Sequence, residues 1–496
     1  MPVDLNVLLV AAEVHPLAKT GGLADVSSAL PTALQRLNVD ARVLMPAYRG
    51  IKNQLDLKPV GKSFQPLASC DKLRLLKGHL PGTETPLYLI DCPSLYDRPG
   101  SPYTDQNGQE HWDNALRFGV LSKVAAMFGS GKGLGRWRAD VVHCNDWHCG
   151  IAPAYLKFGD TATAASIFTI HNLAYQGNFD RKCRKALEID SLAFHMDGME
   201  FYGHLSFMKS GIYYSDEVTT VSPSYARQIQ TRELGCNMDG VLRQRSANLH
   251  GILNGIDTDL WDPASDDSLP AAYKSDDMEG KLICKNALQN RFRLREQPET
   301  PVLAMLGRMT EQKGWGIMLE AAPWLLEAGV QLVLTGEGSR DYESVIHSLR
   351  MRFPGQIEHY SGFSEEIAHL MMAGADCLLV PSYFEPCGLV QMYAQRYGTL
   401  PIAHKTGGLA DTIVDATPAS LADGTATGFL FDTPEAGRLA DAVKRALDIL
   451  GADEKGWQKL RMQAMAQDWG WSKAAGQYVE IYQDSLDARR CKRELH

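Results

Sequence analysis

Two loops of this chain carry residues suited to a phosphorylated ligand. The loop Gly307–Lys313 follows an apolar run and places two cations, Arg308 and Lys313, five positions apart. An arginine can hold a diphosphate through two parallel hydrogen bonds, whereas a lysine acts as a compact point charge. The alternative interpretation is a solvated helix start with surface cations. Gly336-Glu337-Gly338, after the next apolar run, is a further tight turn and only weak evidence by itself.

A glutamate-containing loop, Glu385–Leu389, follows the run Cys377–Pro381. Its carboxylate can accept hydrogen bonds from sugar hydroxyls or stabilise positive charge at a reacting carbon, and the backbone N–H groups of Cys387 and Gly388 can face a phosphate. Alternatively, Glu385 caps the following helix, where carboxylates favour the positive end of the dipole. Cys387 as a nucleophile needs a nearby base, and none is evident locally.

The heptapeptide Lys-Thr-Gly-Gly-Leu-Ala-Asp occurs twice, at Lys19–Asp25 and at Lys405–Asp411. Each copy follows an apolar run and leads into an apolar-periodic segment, which predicts a strand, a glycine loop and a helix start. Glycines allow close approach of a ligand, and a helix start offers unpaired N–H groups to an anion. The repeat predicts a two-lobed protein that binds something phosphorylated.

Polar residues also follow the apolar runs of the first half. His171–Gly177 contains Asn172, Tyr175 and Gln176, which favour sugar binding, although a lone histidine after a strand is often structural. Asp25 and Asp146 are carboxylates at the same predicted rim. The cluster His143–Cys149 lacks a second half-site, so we expect no metal there. Without an Asp-x-Asp motif, arginine and lysine must neutralise a diphosphate.

Alternating short apolar runs and helix-spaced segments position these loops. Such runs imply parallel sheets covered on both faces by helices, with ligands at the carboxyl ends of the strands. The sequence therefore predicts α/β architecture with two Rossmann-like lobes and a cleft between them: residues 1–250, residues 251–470, and a C-terminal helix, 471–496, packing back on the first lobe. The basic end, Arg489–Arg493, is expected to be a frayed tail. The predicted strands are Val7–Ala12, Ala41–Met45, Leu87–Ile90, Val141–His143, Ser166–Ile170, Glu217–Val221, Val302–Leu306, Val330–Leu334, Ile357–Tyr360, Cys377–Val380 and Leu400–Ala403.

Length, composition and net charge exclude several classes of protein. A chain of 496 residues with 45% hydrophobic and 22% charged residues is typical of a globular protein with two or three domains. The net charge of −9 argues against nucleic-acid binding, and no apolar run reaches the length of a membrane span. Ten scattered cysteines and an N-terminus without a secretory signature predict a cytoplasmic protein.

Taken together in chain order, these motifs resemble the family of bacterial glycogen synthases and plant starch synthases. The resemblance covers nearly the whole chain and rests on Lys19–Val26, Asp146–His148, His171–Gly177, Asn254–Asp257, Gly307–Gly314, Glu385–Leu389 and Thr406–Thr412. It implies the GT-B glycosyltransferase fold and transfer of glucose from ADP-glucose to the non-reducing end of an α-1,4-glucan such as glycogen. It further implies retention of the α configuration, with no metal and no cofactor.

The resemblance also implies roles for individual residues. Arg308 and Lys313 would neutralise the departing diphosphate, and Glu385 would hold glucose hydroxyls. His171 would either touch the glucose or stabilise the oxocarbenium-like reacting carbon through its backbone carbonyl. Lys19 would reach the same donor from the opposite lobe, so that the repeat forms two faces of one site. Lys405 is much less strongly expected than Lys19 to contact the donor. The donor shell would comprise Lys19, Gly21, Gly22, Asp25, Asn254, Gly336, Phe363, Cys387, Gly388, Leu389, Thr406, Gly407 and Gly408. The acceptor or sugar shell would comprise Tyr103, Asp146 and Asn172.

Two positions depart from the family pattern. Val390 stands where many members have threonine, which removes one hydroxyl near the phosphates, and Phe363 stands where relatives often have tyrosine near the adenine. Stacking on a base needs the ring rather than the hydroxyl. The alternatives left open are UDP-glucose as donor, a different acceptor, and a non-catalytic glucan-binding protein. A phosphorylase is disfavoured, because no pyridoxal-binding signature is recognisable.

Overall fold

The structure, a computed structural model, describes residues 5–131, 137–159, 164–362 and 364–494. The chain divides into two compact units: unit 1 comprises residues 1–255 and 471–496, and unit 2 comprises residues 256–470. Each unit is an α/β structure with its own sheet.

The strands within the described residues are numbered in chain order. They are β1 (Asn6–Val10), β2 (Asp40–Pro46), β3 (Lys58–Phe64), β4 (Leu73–His79), β5 (Pro86–Asp91), β6 (Val141–Asn145), β7 (Ala165–Ile170), β8 (Asn178–Asp180), β9 (Glu200–Phe201), β10 (His204–Ser206), β11 (Glu217–Thr220), β12 (Leu249–Gly251), β13 (Val302–Leu306), β14 (Gln331–Gly336), β15 (Ile357–Ser361), β16 (Cys377–Val380), β17 (Leu400–His404) and β18 (Phe429–Phe431).

The helices are numbered in the same way. They are α1 (Gly22–Arg36), α2 (Pro93–Tyr96), α3 (Asn114–Ser130), α4 (Ala152–Lys157), α5 (Cys183–Ala186), α6 (Phe207–Tyr214), α7 (Pro223–Gln228), α8 (Asp239–Gln244), α9 (Glu279–Arg291), α10 (Trp315–Glu327), α11 (Arg340–Arg352), α12 (Glu365–Gly374), α13 (Val390–Arg396), α14 (Gly407–Thr412), α15 (Pro418–Asp423), α16 (Ala436–Ala452), α17 (Glu454–Met465) and α18 (Ser472–Glu494). Short 3₁₀ turns lie at Ile51–Gln54, Trp147–Cys149, Ser191–Ala193, Ser246–Asn248 and Glu311–Lys313.

The sheet of unit 1 has the order β12-β11-β7-β6-β1-β2-β5-β4-β3. The strands from β12 to β5 pair in parallel, whereas β4 is antiparallel to both of its neighbours. The predicted parallel sheet is thus confirmed for the strands from β12 to β5, and β3 and β4 form an antiparallel edge that the sequence did not predict. The reason lies in β3, most of whose residues are exposed, so it lacks the continuous apolar run of a strand covered on both faces. A separate three-stranded sheet, β8-β10-β9, lies outside the main sheet.

Helix α18 completes the core of unit 1. Tyr478 and Tyr482 on this helix are fully buried with Val7, Leu34 and Ile167. The Tyr482 hydroxyl lies 2.8 Å from Nδ1 of His143. The helix continues to Glu494, and Arg489 binds Asp216 with N–O distances of 2.8–3.0 Å, so the expectation of a frayed tail is wrong for this stretch. The ion pair with the partly exposed carboxylate of Asp216 holds this end of the helix and explains the difference.

The sheet of unit 2 is parallel throughout, with the order β15-β14-β13-β16-β17-β18. Its four central strands, β13, β14, β16 and β17, are almost entirely buried, and helices such as α12, α13 and α16 contact them. The strand order reverses at β13, so successive connections from β13 and from β16 leave toward opposite sides. Ligands in such sheets bind in the crevice at this reversal, outside the carboxyl ends of the strands.

Two further properties of the described residues concern the state of the cysteines and the length and hydrophobicity of the helices. All ten cysteines fall within the described residues and all are free. No helix in the described part of the chain combines the length and hydrophobicity that a membrane span requires.

Candidate functional site

In unit 2, the two predicted cations lie on the loop that leaves β13. Arg308 is exposed, and its carbonyl accepts a hydrogen bond from the Trp315 indole at 3.0 Å. The next residue, Met309, donates its N–H to the carbonyl of Glu337 at 2.9 Å. The loop is therefore fixed to α10 on one side and to the loop after β14 on the other. Both contacts hold the base of the Arg308 side chain at the strand reversal.

Lys313 ends the same loop and forms an ion pair with Glu385, which follows β16. The Lys313 Nζ lies 2.6 Å from Oε2 of Glu385, and the Ser382 hydroxyl donates to the same oxygen at 3.1 Å. The Glu385 side chain is 8% exposed and that of Lys313 is 26% exposed. A backbone hydrogen bond from Tyr383 to Gln312 joins the two loops as well. The structure thus brings a cation and a carboxylate together across the crevice of the sheet.

Two glycines allow the loops of unit 2 to approach this closely. Gly314 adopts a φ of 74°, and a Cβ there would lie 1.9 Å from the Pro381 carbonyl oxygen. A Cβ on Gly408 would lie 2.1 Å from the carbonyl oxygen of Cys387. Neither position can carry a side chain without movement of the backbone beside it. The loops around Lys313 and Glu385 are therefore shaped by these contacts.

The second heptapeptide joins this cluster through its backbone. Gly408 donates its N–H to the Glu385 carbonyl at 3.0 Å, and Thr406 is the residue before α14, which begins at Gly407. Gln391 donates to the carbonyls of Cys387 and Gly388 at 3.1 and 2.8 Å. Lys405 itself is 57% exposed and lies 4.0 Å from Asp432. The glycines of this copy thus face the Glu385 loop, while its lysine points to the surface.

The remaining predicted residues of unit 2 lie at the same strand ends. Gly336 is the last residue of β14 and is buried, with a Cβ position only 2.2 Å from the Gly307 carbonyl oxygen. Leu389 immediately precedes α13. Phe363 lies outside the described residues.

In unit 1, the first heptapeptide sits between β1 and α1. The Lys19 Nζ forms an ion pair with Asp25 at 2.7 Å, and the side chains are 26% and 25% exposed. Gly21 precedes α1, which begins at Gly22. In this copy the lysine is thus held over the first turn of the helix by its own carboxylate, unlike Lys405 in the second copy.

Sequence reasoning missed Glu13, which organises this loop. Its buried carboxylate accepts hydrogen bonds from the backbone N–H groups of Thr20 and Gly21, the second at 3.1 Å. The other carboxylate oxygen accepts the hydroxyl of Tyr103. The available signal was a lone acidic residue directly after the apolar run that forms β1. Tyr103, predicted for the acceptor shell, is consequently tied to the Lys19 loop.

Asp146 and Tyr103 form the next part of the unit 1 cluster. Asp146 follows β6 with a φ of 63° and accepts the Trp147 N–H at 3.1 Å. Burial raises the pKa of the Asp146 carboxyl well above its usual range. The ring of Tyr103 stacks on His148 with 4.8 Å between the centroids. This acidic group therefore lies in an aromatic, weakly hydrated setting.

His171 follows β7 and contacts the neighbouring strand end. Its Nε2 lies 2.9 Å from Oδ1 of Asn145, whose amide nitrogen in turn donates to the Val10 carbonyl at 3.3 Å. That orientation makes the Asn145 oxygen an acceptor, so His171 donates through Nε2. Burial lowers the pKa of His171 to about 3, which keeps the imidazole neutral at pH 7.

Two amide side chains complete the predicted residues of unit 1. The Asn172 oxygen accepts the Ala174 N–H at 3.1 Å, which shapes the loop after β7. Asn254 is buried, and no group among the described residues donates to its side-chain oxygen. A buried amide oxygen without a donor is a position where a ligand hydroxyl can bind.

The structure brings several of the predicted residues together at the strand ends of each unit. In unit 1, β1, β6 and β7 are neighbours, and their carboxyl ends carry Glu13, Asp146 and His171. In unit 2, Arg308, Lys313 and Glu385 share the reversal between β13 and β16. Among the described residues, no group of three or more His, Cys, Asp or Glu side chains is arranged to hold a metal ion.

Comparisons with known proteins identify relatives of both units. Residues 6–244 match the family model of the starch synthase catalytic domain, and residues 287–455 match that of glycosyl transferases group 1. The chain is 48% identical to the glycogen synthase of Thioalkalivibrio sulfidiphilus, over 97% of this chain and 99% of that protein. It is 46% identical to the glycogen synthase of Nitrosospira multiformis, over 98% of each chain.

A solved structure extends the likeness to three dimensions. The catalytic domain of Starch Synthase IV from Arabidopsis thaliana, bound to ADP and acarbose, matches with a TM-score of 0.87 and 31% identity, covering 98% of this chain and 100% of that one. Sucrose-phosphate synthase from Thermosynechococcus elongatus matches with a TM-score of 0.60 at 18% identity, a likeness of fold alone.

Proposed function

The chain belongs to the glycogen and starch synthase family of glycosyltransferases, and from that membership we propose that it transfers glucose from ADP-glucose to the non-reducing end of an α-1,4-glucan with retention of configuration. Its two Rossmann-like units have the GT-B fold, as the sequence predicted. We propose, beyond family membership, that ADP-glucose is the donor, that the configuration is retained, and that individual residues have the roles given below.

The observation that carries the proposal is the Lys313–Glu385 pair at the strand reversal of unit 2, with Arg308 on the same loop. A diphosphate entering this crevice meets two cations and a series of loop N–H groups. Arg308 binds it through parallel hydrogen bonds and Lys313 neutralises the charge that grows on the departing ADP. Fixed charges aimed at a developing anion are usually the largest catalytic contribution.

Glu385 has a separate role in this mechanism. Its carboxylate is held by Lys313 and Ser382, so it is oriented before the donor arrives. We assign it to the glucose hydroxyls, beside the backbone of Cys387–Leu389 and Thr406–Gly408, with Gly336 and Phe363 on the nucleotide side. Because the ion pair already constrains both side chains, little rotamer entropy is lost when the sugar diphosphate binds.

Unit 1 supplies the sugar and acceptor contacts in this proposal. Lys19 contacts the phosphate and glucose region, with Asp25 and the glycines Gly21 and Gly22 beside it. The neutral His171 offers its backbone carbonyl to the reacting carbon. The other contacts to glucose and acceptor hydroxyls are assigned to Tyr103, Asp146, Asn172 and Asn254.

Retention is proposed to occur on one face of the sugar, with the leaving phosphate taking the proton of the acceptor hydroxyl. A double displacement needs a carboxylate nucleophile. Glu385 is already bound by Lys313 and Ser382, Asp25 is bound by Lys19, and the raised pKa of Asp146 makes that group a poor nucleophile. Because these three carboxyl groups are already bound or have a raised pKa, we favour the single-face route. In this proposal Arg308 and Lys313, and not a metal, neutralise the negative charge of the leaving diphosphate.

We propose ADP-glucose as the donor because a related starch synthase binds ADP. The catalytic domain of Starch Synthase IV from Arabidopsis thaliana is bound to ADP and acarbose. We propose the same nucleotide here, and α-1,4-glucan as the polymer substrate. The ten free thiols suit a reducing compartment, and we propose the cytoplasm as the place of the reaction.

The test incubates the purified protein and glycogen with radiolabelled ADP-glucose or UDP-glucose. We expect label in the polymer chiefly from ADP-glucose, and digestion with an enzyme specific for α-1,4 linkages should release it. Incorporation from neither donor would refute the activity. Faster incorporation from UDP-glucose would refute only the assignment of the nucleotide.

A further inference from the structure

Gln391, the second residue of α13, carries a fully buried amide to which the proposed mechanism gives no role. Its Nε2 lies 3.1 Å from the Cys387 carbonyl oxygen, 2.8 Å from that of Gly388 and 3.0 Å from the Thr412 hydroxyl. Carbonyl oxygens only accept hydrogen bonds, so the nitrogen of the amide, and not its oxygen, must face them. The side chain therefore holds two successive carbonyls of the loop Glu385–Leu389.

The oxygen of the same amide is buried, and no group among the described residues donates to it. It lies directly against the loop, since a Cβ on Gly388 would be 2.4 Å from it. A buried oxygen without a donor costs free energy that an apolar side chain of the same shape would avoid. The hydrogen bonds of the nitrogen are therefore the feature that an apolar residue could not supply at this position.

The two bound carbonyls fix the direction of the N–H groups in their own peptide bonds. In a planar trans peptide, the C=O and N–H bonds point in opposite directions. The Cys387 carbonyl shares a peptide group with the Gly388 N–H, and the Gly388 carbonyl shares one with the Leu389 N–H. Because both carbonyls converge on Gln391, both N–H groups point away from it.

Gln391 also joins the loop to α14, the helix of the second heptapeptide. The Thr412 hydroxyl donates to the Gly408 carbonyl at 2.7 Å, and the Gly408 N–H donates to the Glu385 carbonyl at 3.0 Å. One turn further along α13, Gln395 donates to the Thr412 carbonyl at 2.9 Å. These hydrogen bonds close a ring between the loop and α14, so neither can shift without the other.

We propose that Gln391 is a positioning residue for the donor, which aims the N–H groups of Gly388 and Leu389 at the sugar diphosphate before it binds. The inference rests on the proposed function for the identity of the ligand. Donors that are fixed in advance need no reorganisation when the anion arrives. Without the amide, both peptide groups can rotate, and the diphosphate then binds more weakly.

The variant Gln391→Met keeps the length of the side chain and removes both of its N–H donors. Its matched control is Gln289→Met. Gln289 is also fully buried in unit 2, and its oxygen likewise has no donor within the described part of the chain. Its Nε2 donates to the Gln297 carbonyl at 3.1 Å and to the Gln331 side chain at 2.9 Å. Because Gln331 begins β14, this control lies at the amino ends of the strands, opposite the candidate site.

A second variant, Thr412→Val, opens the same ring at another point. Valine keeps the branched shape of threonine but removes the hydroxyl that accepts from Gln391 and donates to Gly408. The hydrogen bonds from Gln391 to the loop carbonyls remain in this variant. Its effect should therefore have the same direction as that of Gln391→Met and be smaller.

Titration calorimetry with ADP and steady-state transfer from labelled ADP-glucose to glycogen measure the effect. In Gln391→Met, the dissociation constant for ADP and the KM for ADP-glucose should rise about tenfold, because hydrogen bonds to a charged ligand are weakened. The KM for glycogen should stay within about twofold of the wild type, because the loop contacts the donor and not the polymer. Gln289→Met should leave all three constants unchanged, although it too removes a buried amide.

Three results would overturn the inference: an unchanged dissociation constant for ADP in Gln391→Met, an equal rise in the KM for glycogen, or the same loss of ADP affinity in Gln289→Met. Thr412→Val should weaken ADP binding by about threefold, and the double variant should be no weaker than Gln391→Met alone, because both substitutions open one ring. If circular dichroism shows that Gln391→Met does not fold, Thr412→Val decides, and wild-type affinity for ADP in that variant would overturn the inference.

Because calorimetry requires no transfer, failure of this inference can be told apart from failure of the proposed function. If the wild type binds ADP but transfers glucose from no donor, the proposed function fails, and ADP binding by the variants still decides the role of Gln391. If the wild type binds UDP and not ADP, only the nucleotide assignment fails, and the same comparison with UDP decides. A wild type that binds neither nucleotide would refute both.

Discussion

Replacing Gly314 with alanine should separate the two loops that hold Lys313 and Glu385. The new Cβ would lie 1.9 Å from the Pro381 carbonyl oxygen, and Cβ atoms do not approach closer than 3.0 Å, so the backbones must move apart by about 1.1 Å. The ion pair between Lys313 and Glu385 joins these same two loops at 2.6 Å. A displacement of this size breaks that hydrogen-bonding distance.

The expected cost has two parts. A non-glycine residue at a φ of 74° costs about 1–2 kcal/mol, and overpacking a buried contact costs about 1–3 kcal/mol. The free energy of unfolding should therefore fall by roughly 2–5 kcal/mol. A misplacement of about 1 Å in catalytic groups should lower turnover by about 100-fold.

Urea unfolding and transfer from ADP-glucose to glycogen measure the two effects. The matched control is Gly316→Ala, two positions further along, where a Cβ would lie 3.7 Å from the Tyr342 hydroxyl, an ordinary contact. Alanine inside α10 should leave activity intact and add up to about 1 kcal/mol of stability. If Gly314→Ala behaves like this control, the argument that the glycine shapes the crevice is wrong.

Three further predictions concern single side chains. Lys313→Ala should lower turnover by about 10²–10³-fold, because the departing diphosphate loses a cation; steady-state kinetics close to wild type would remove Lys313 from the mechanism. Lys19→Ala should lower turnover strongly. Lys405→Ala should change turnover by less than about twofold in the same assay, because the Lys405 side chain is 57% exposed. Equal effects of the two substitutions would contradict the different roles of the two heptapeptides. Burial lowers the pKa of His143 to about 3, below its ordinary value of 6.5, so the unfolded chain takes up a proton that the folded one refuses. His143 should thus lower the free energy of unfolding by about 1.4 kcal/mol per pH unit below pH 6.5, in addition to the contribution of His171, whose pKa burial lowers as well. Urea unfolding at pH 7 and pH 5.5 measures the total, and His143→Gln should reduce the slope by that share; an unchanged slope in the variant would contradict this assignment.

The central strands could be predicted from the sequence because they are buried on both faces and read as continuous apolar runs. Each of the eleven predicted strands overlaps a strand of the structure. Strand β3, in contrast, is mostly exposed and contains lysines and a glycine, so its pattern resembles a loop. The short strands β8–β10 have two or three residues each, too few for a periodicity to be recognised.

The sequence predicted which polar segments are loops, but it did not predict which residues of other loops they contact. Arg308, Lys313 and Glu385 each follow an apolar run, which located them at strand ends. The contact between Lys313 and Glu385 joins residues 72 positions apart, and spacing along the chain carries no information on such a pair. Glu13 was missed for the same reason, since its significance depends on the hydroxyl of Tyr103, 90 positions away.

The division of unit 1 into two stretches of chain has a consequence for synthesis on the ribosome. All strands of its sheet have been translated once residue 255 is reached. Trp471, Tyr478 and Tyr482, which cover one face of that sheet, are translated only after unit 2. At about 5–20 residues per second, the 215 residues of unit 2 delay this helix by roughly 10–40 seconds. Unit 2 is continuous, so all of its residues are available before this helix is translated. The half of the protein that is translated first is therefore the half that finishes folding last, with apolar side chains such as Val7 and Ile167 open to chaperones until the final helix emerges.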